Sequence, residues 1–408
     1  MPITPSWHPA RLRLPAGRAI VLILLVLLVV GGGGTWARLY VTTHRSPATP
    51  TATTQVTPTL SSYDQFVMKN GIQFGFDAQH SRFNPYESQL SPTTVATLVQ
   101  AWTATTSGAI GSSPAVANGV VYVGSLDHKL YAFKADGCGQ PMCSPLWTAT
   151  TGNWIYASSP AVANDVVYVG SDDHKLYAFK ADGCGQPTCS PLWTATTGYW
   201  IFSSPAVANG VVYVGSYDDK LYAFKADGCG QPTCSPLWTA STDSSISSSP
   251  AVANGVVYVG SEDHKLYAFK ADGCGQSTCS PLWTASTGDK IVSLPAVANG
   301  VVYVSSLDDK LYAFKADGCG QPTCSPLWTA STGDLIVSSP AVANGVVYVG
   351  SEDHKLYAFK ADGCDQPTCS PLWTASTGDL IGFSSPTVAN GMVYIGSNDD
   401  KLYAFHRK

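Results

Sequence analysis

Of the 408 residues only 12% are charged, against 38 glycines, 27 prolines, 12 cysteines and 11 tryptophans. So little charge with so much Gly and aromatic content excludes a disordered chain and argues against a helical bundle; it reads as strand-and-turn protein. A net charge of −5 provides no basic footprint, so no nucleic-acid partner is expected.

Residues 1–18 carry Arg11, Arg13 and Arg18 ahead of residues 19–37, which hold no charge. The strongly apolar part, Ala19 to Val30, is 12 residues long and runs into Gly31 to Gly34. A membrane span takes about 20 apolar residues and a signal-peptide core about 7–15, so an uncleaved transmembrane anchor and a cleaved signal both stand. In either case the arginines keep residues 1–18 in the cytoplasm and send the remainder outward. The expected location is the cell membrane, crossed once by this N-terminal helix, with secretion as the outcome of cleavage. No cysteine precedes Cys138, which excludes an N-terminal lipid-modified cysteine. Residues 38–62 form a Thr/Pro-rich linker unable to build a core. No N-x-[ST] sequon occurs, which favours a bacterial chain over a eukaryotic secreted glycoprotein. Residues 63–101 form a lead-in with one expected strand, Ile72 to Phe76, and a short helix after Ser91.

From there one unit repeats. The prolines of its Ser-Pro (Leu-Pro in one copy) fall at Pro114, Pro160, Pro205, Pro250, Pro295, Pro340 and Pro386, in steps of 46, 45, 45, 45, 45 and 46 residues. A period in the 40s with strand-like content means a solenoid or a propeller blade. Within the first unit, SPAVAN is a short apolar run and Asn118-Gly119 is the signal of a two-residue hairpin. VVYVGS supplies a second strand, a turn at Asp127-His128 leads to KLYAFKA, and the loop DGCGQPMCSP ends at the fourth strand, LWTAT. Four antiparallel strands per period make one propeller blade, so residues 102–408 are expected to be an all-β, seven-bladed propeller. Its last copy has no tryptophan strand of its own, and the strand at Trp102 is expected to complete that blade and close the ring.

The frame SSPAVANGVVYVGSxDxKLYAF, followed by a tryptophan strand, resembles the pyrroloquinoline-quinone (PQQ)-type β-propeller repeat. That repeat is found in quinoprotein dehydrogenases and in the propeller lipoprotein of the barrel-assembly machinery. The stretch Phe74 to Trp102 also resembles the lead-in of quinoprotein-type chains. The resemblance implies the fold; because the repeat occurs in both enzymes and scaffolds, it leaves activity open.

All 12 cysteines form six local pairs: Cys138 with Cys143, Cys184 with Cys189, Cys229 with Cys234, Cys274 with Cys279, Cys319 with Cys324, and Cys364 with Cys369. Outside the cytoplasm such a set reads as disulfides. Zinc would need two pairs to converge, whereas each pair belongs to a different blade. Relatives carry a short loop here with an Asp and a Thr-Gly ahead of the tryptophan. In this chain Lys134 and its equivalents take the Asp place, so a disulfide is expected to replace hydrogen bonding that locks blade to blade.

Signals for catalysis are few. Quinoprotein dehydrogenases use an adjacent-cysteine disulfide and hold PQQ with calcium; no Cys-Cys dipeptide occurs here, nor a C-x-x-C-H, G-x-S-x-G or P-loop motif. Neither a cofactor nor a metal site is expected. The ring Asp127, Asp173, Asp218, Asp263, Asp308, Asp353 and Asp399 reads as turn residues, since equivalent positions on neighbouring blades should not converge on one ion. Lys129 and its equivalents read as solvated strand starts, and the repeated tryptophans as packing.

The copies differ mainly on one face. Loops after the tryptophan strand and the Asp turns carry aromatics in successive copies: Trp154 and Tyr156, then Tyr199, Trp200 and Phe202, with Tyr217 in the next turn. Later copies carry Glu262, Asp289, Asp334, Glu352 and Asp379. These six aromatics are the ligand-binding candidates, for a protein or glycan partner; rings packed between blades are the alternative. The expected protein is a monomeric, non-catalytic binding or assembly scaffold at the cell envelope. A PQQ-dependent quinoprotein dehydrogenase and an extracellular glycan binder are the alternatives.

Overall fold

A computed structural model describes residues 101–389, 392–399 and 401–406. The anchor or signal segment at 19–37, the linker at 38–62 and the lead-in up to residue 100 lie outside the described residues. Among the described residues no helix is long and apolar enough to cross a membrane.

The second repeat shows the unit. Its strands are Ala161–Ala163, Val166–Ser171, Lys175–Lys180 and Trp193–Thr196, each antiparallel to the one before. The first hairpin closes as Asn-Gly signals demand, with Asn118 at φ 50° and Gly119 at φ 73° in the first copy. The second copy has Asp165 in the Gly place at φ 61°, a left-handed value Asp tolerates. VVYVGS and KLYAFK do not alternate in burial: Val167, Tyr168, Val169, Leu176, Ala178 and Phe179 are all buried. A strand covered on both faces by neighbouring sheets reads as a continuous apolar run. Apolar side chains buried this fully stabilise by about 1.5–3 kcal/mol each, so most of the core lies between blades.

Seven three-strand sets are described, with second strands Val120–Ser125, Val166–Ser171, Val211–Ser216, Val256–Gly260, Val301–Ser306, Val346–Ser351 and Met392–Ser397. Six of them carry an outer tryptophan strand, from Trp147–Thr150 to Trp373–Ser376. The sheets form an all-β, propeller-like series of four-stranded blades.

The strand at Trp102, expected to complete the last blade, meets the first blade as the other outer strands meet the blades that follow them. Thr103–Ala104 pairs in parallel with Met142–Cys143, while Lys401–His406 is the edge of a three-stranded sheet. Trp102 keeps the relation that outer tryptophans have to the following blade: its Nε1 donates to Ala135 O at 3.2 Å, as Trp328 Nε1 does to Ala361 O at 3.1 Å. Its strand is thus held by the first blade. In the seventh set Leu402 is 72% exposed, while Leu176 and the other equivalents are 0%.

The cysteine loop also differs from expectation, since it contains a short strand. Thr188–Cys189 runs parallel to the outer strand of the preceding blade, Thr188 opposite Thr148 and Cys189 opposite Ala149. The same pairing recurs at Thr194↔Thr233, Thr284↔Thr323 and Thr329↔Thr368. It places Cys234 opposite Ala195, Cys324 opposite Ala285 and Cys369 opposite Ala330. In the remaining copy Cys279 N donates to Thr239 O at 2.8 Å. Thr148 N donates to Pro187 O at 2.9 Å. Five of the six cysteine loops therefore add a fifth strand, or a bridge in its place, to the preceding blade, and the first pairs with the Trp102 strand.

Candidate functional site

The turn aspartates are structural. Asp173 Oδ2 accepts the Tyr177 hydroxyl at 2.5 Å and the Gly152 N–H at 3.2 Å, tying the turn to the segment that enters the blade. Asp218 does the same for Tyr222 and for Gly198 N at 2.9 Å. The residue after each Asp is left-handed, with His174 at φ 68° and Asp219 at φ 66°. Burial alone would raise the Asp308 carboxyl, but hydrogen bonds from Tyr312, Lys310 and Ser306 outweigh it and hold it below its ordinary value. Lys310 and Lys355, expected as solvated, each reach the turn carboxylate at 3.0 Å.

All six expected cysteine pairs are disulfides. Cys138 is bonded to Cys143, Cys184 to Cys189 and Cys229 to Cys234. Cys274 is bonded to Cys279, Cys319 to Cys324 and Cys364 to Cys369. Their Cα–Cα distances are 5.6–5.7 Å, and no described cysteine is free. In every pair the second cysteine is the buried one: Cys143, Cys189, Cys234, Cys279, Cys324 and Cys369. A second lock lies beneath them. Tyr168 donates to Ala226 O at 2.8 Å and Tyr213 to Ala271 O at 2.8 Å, each reaching 58 residues on into the next blade. The tryptophan ring dictates the Gly of each Asp-Gly-Cys: a Cβ on Gly183, at φ 82°, would stand 2.5 Å from Trp147 Cδ1. Isoleucines make a further plug, Ile155 against Gly124 and Ile201 against Gly170.

Those plugs orient the variable face. Ile155 and Ile201 are buried in the preceding blade, and the residues on either side of them turn outward. Trp154 is 49% exposed and Trp200 37%, with Tyr156 and Tyr199 exposed and Phe202 and Tyr217 half-buried. Five of the six candidate rings meet. Trp200 lies 4.6 Å from Tyr199, 5.7 Å from Phe202 and 6.3 Å from Tyr217; Phe202 lies 4.8 Å from Tyr217 and 5.4 Å from Tyr156. His174 joins the edge at 5.1 Å from Tyr199. Trp154, whose carbonyl accepts Asp172 N at 2.9 Å, is not part of this ring-to-ring set.

Charge surrounds this cluster. Burial pushes the Tyr217 hydroxyl up to about 12, and the Glu262 carboxylate adds to that. Glu262 in turn pairs with Lys290 at 2.7 Å. Asp172 stands out from the acidic set and was not among the expected site residues. It is 7% exposed, and its Oδ1 has no hydrogen-bond partner among the described residues. Burial, with the Asp173 charge second, pushes its carboxyl up to about 6. The only signal in the sequence is the variable turn position it occupies, which holds Leu126, Asp172, Tyr217, Glu262, Leu307, Glu352 and Asn398 in successive copies.

Calcium, which would hold a PQQ cofactor, takes about 6–8 oxygen ligands. Among the described residues no three His, Cys, Asp or Glu side chains are grouped to hold a metal, and the chain has no adjacent cysteines. No redox step is assigned to the described residues.

A family model described as outer membrane protein assembly factor BamB matches residues 139–231, 184–277, 229–321 and 276–408. The chain belongs to this family. The BamB match spans well over half of the sequence and coincides with the repeats. Comparison with curated proteins finds no match. Among solved structures, BamB from Moraxella catarrhalis is 16% identical, covering 74% of this chain and 86% of that one at a TM-score of 0.56. A computationally designed protein, Ika8, is 14% identical over 72% of this chain and 83% of its own, also at 0.56. The WD40 β-propeller domain of Doa1 is 14% identical over 74% and 94% at 0.51. At these identities the likeness is one of fold.

Proposed function

We propose that this BamB-family chain is a non-catalytic binding or assembly scaffold acting outside the cytoplasm. It engages its partner through the aromatic face of the second and third blades. The observation carrying this is the convergence of Tyr156, Tyr199, Trp200, Phe202 and Tyr217 on one face, with large rings left in solvent. Exposed aromatic groups in contact with one another suit a hot spot better than drifted loops, which would scatter them singly. Six disulfides fit an oxidising compartment, and the apolar segment at 19–37 fits export or anchoring. Pairing of the Trp102 strand with Lys401–His406 would close a seven-bladed ring.

A photo-cross-linking residue placed at position 154 or 200 tests the reading in cells, with position 209 on the opposite face as control. Discrete envelope adducts from 154 and 200 but not from 209 are the expected result. Equal labelling from all three would remove the argument for a one-sided binding face.

A further inference from the structure

We propose that Asp172 and the tryptophan-bearing segments on either side of it form a recognition site for an alkylammonium group. This rests on the variable face being a binding face and names the chemistry it would take. A carboxylate removed from water without a partner is costly, and one partnered with a cation is not left so. Asp172 is the carboxylate of this face in that condition: buried, with Oδ1 unpartnered and no ion pair among the described residues.

The repeat supplies its own control. Glu262 occupies the same turn position two blades on, and the residue 28 positions after it, Lys290, sets its Nζ 2.7 Å from that carboxylate. In the blade between, the same spacing brings Ser245 Oγ to within 3.2 Å of Tyr217 O. In both of these blades the residue 28 positions after the turn reaches it, and for Asp172 the residue at that spacing is Trp200. On the other side, Asp172 N donates to Trp154 O. Where the fourth and fifth blades provide their own ammonium, the second and third provide indoles. Glu352, the other carboxylate at this position, differs in being half-buried, with a leucine, Leu380, at the same spacing.

Aromatic faces attract ammonium groups through the ring quadrupole, and a nearby carboxylate adds a full opposite charge. Trp200, backed by Tyr199 and Phe202, supplies the rings and Asp172 the charge. A lysine side chain of a partner and a small methylated amine share this chemistry. Glycans, which carry no cation, fall outside it.

The test uses the full chain in a non-ionic detergent. Intrinsic tryptophan fluorescence and calorimetry follow titration with n-butylammonium chloride, which imitates lysine, and with choline chloride, against sodium chloride at equal ionic strength. A saturable response to either amine is expected in the wild type, weakened at least about tenfold in Asp172→Asn, the loss of one charge-assisted contact. Trp200→Lys should abolish it by installing the Lys290–Glu262 arrangement, and should raise the melting temperature. The stronger amine identifies the source. No saturable response in the wild type, or an equal one in Asp172→Asn, overturns the proposal. If Asp172→Asn does not fold, an undiminished response in Trp200→Lys does so alone. Persistence of cross-links from position 200 without any amine response would retain the binding face and reject its cationic ligand.

Discussion

Thr148 and Thr188 face each other across two blades, their hydroxyls 3.4 Å apart, in a parallel ladder whose next rung is Ala149 to Cys189. The disulfide Cys184–Cys189 therefore braces more than its own loop: it holds a two-residue strand against the neighbouring sheet.

Replacing both Cys184 and Cys189 by serine should lower stability by about 2 kcal/mol, the chain-entropy value for so short a loop. The midpoint of denaturant unfolding measures this. Hydrogen exchange should also accelerate at Thr148, whose N–H is bonded to Pro187. Unchanged exchange there would show that the loop keeps its place without its bridge.

Tyr168→Phe should destabilise by about 1–2 kcal/mol. The mutation leaves Ala226 O without the hydroxyl that now donates to it at 2.8 Å in a buried setting. Because the bond joins consecutive blades, the loss should appear in global unfolding rather than in one loop.

Two glycines in the same loop separate backbone strain from crowding. Gly183 and Gly185 have φ values of 82° and 73°, but only Gly183 faces a ring, that of Trp147; nothing lies within 4 Å of a Cβ on Gly185. Gly185→Ala should cost about 1 kcal/mol, the ordinary penalty of a left-handed residue. Gly183→Ala should cost clearly more. Equal melting temperatures for the two variants would contradict this packing of Trp147.

Asp172 should make stability depend on pH. Its carboxyl is raised to about 6 in the fold from an ordinary value of 3.8, so the folded chain favours the protonated form. That contribution is complete below the ordinary value and is lost as pH rises through about 6. Urea midpoints of the wild type should therefore fall between pH 4 and pH 7 relative to those of Asp172→Asn. Parallel profiles for the two proteins would contradict this.

Much of this architecture was legible in local patterns. Asn-Gly pairs, β-branched runs and the 45-residue step are properties of short segments, and they marked the hairpins and the blade. The two-residue strand at Thr188–Cys189 was not legible, because it sits among prolines and finds its partner in another repeat. The Tyr168 bond to Ala226 and the Gly183 contact with Trp147 were hidden for the same reason. At the candidate site, variation among copies located the aromatics on one face. Ring-to-ring contact between Tyr156 and Phe202 required the relative placement of two blades. Asp172 was not legible because its burial comes from neighbouring loops, while its own segment reads as an ordinary polar turn.

Six nearly identical cysteine loops, each docking on a nearly identical neighbour, create a hazard during folding. A loop from one blade fits the outer strand of several others, and a thiol could find the wrong partner in any of them. The bridges span five positions in sequence, so collisions within a loop outpace those between distant blades. Oxidation can then sort every cysteine before the sheets assemble, leaving blade order to be read from chain connectivity alone. A chain made of copies avoids scrambling by making its covalent choices locally and first.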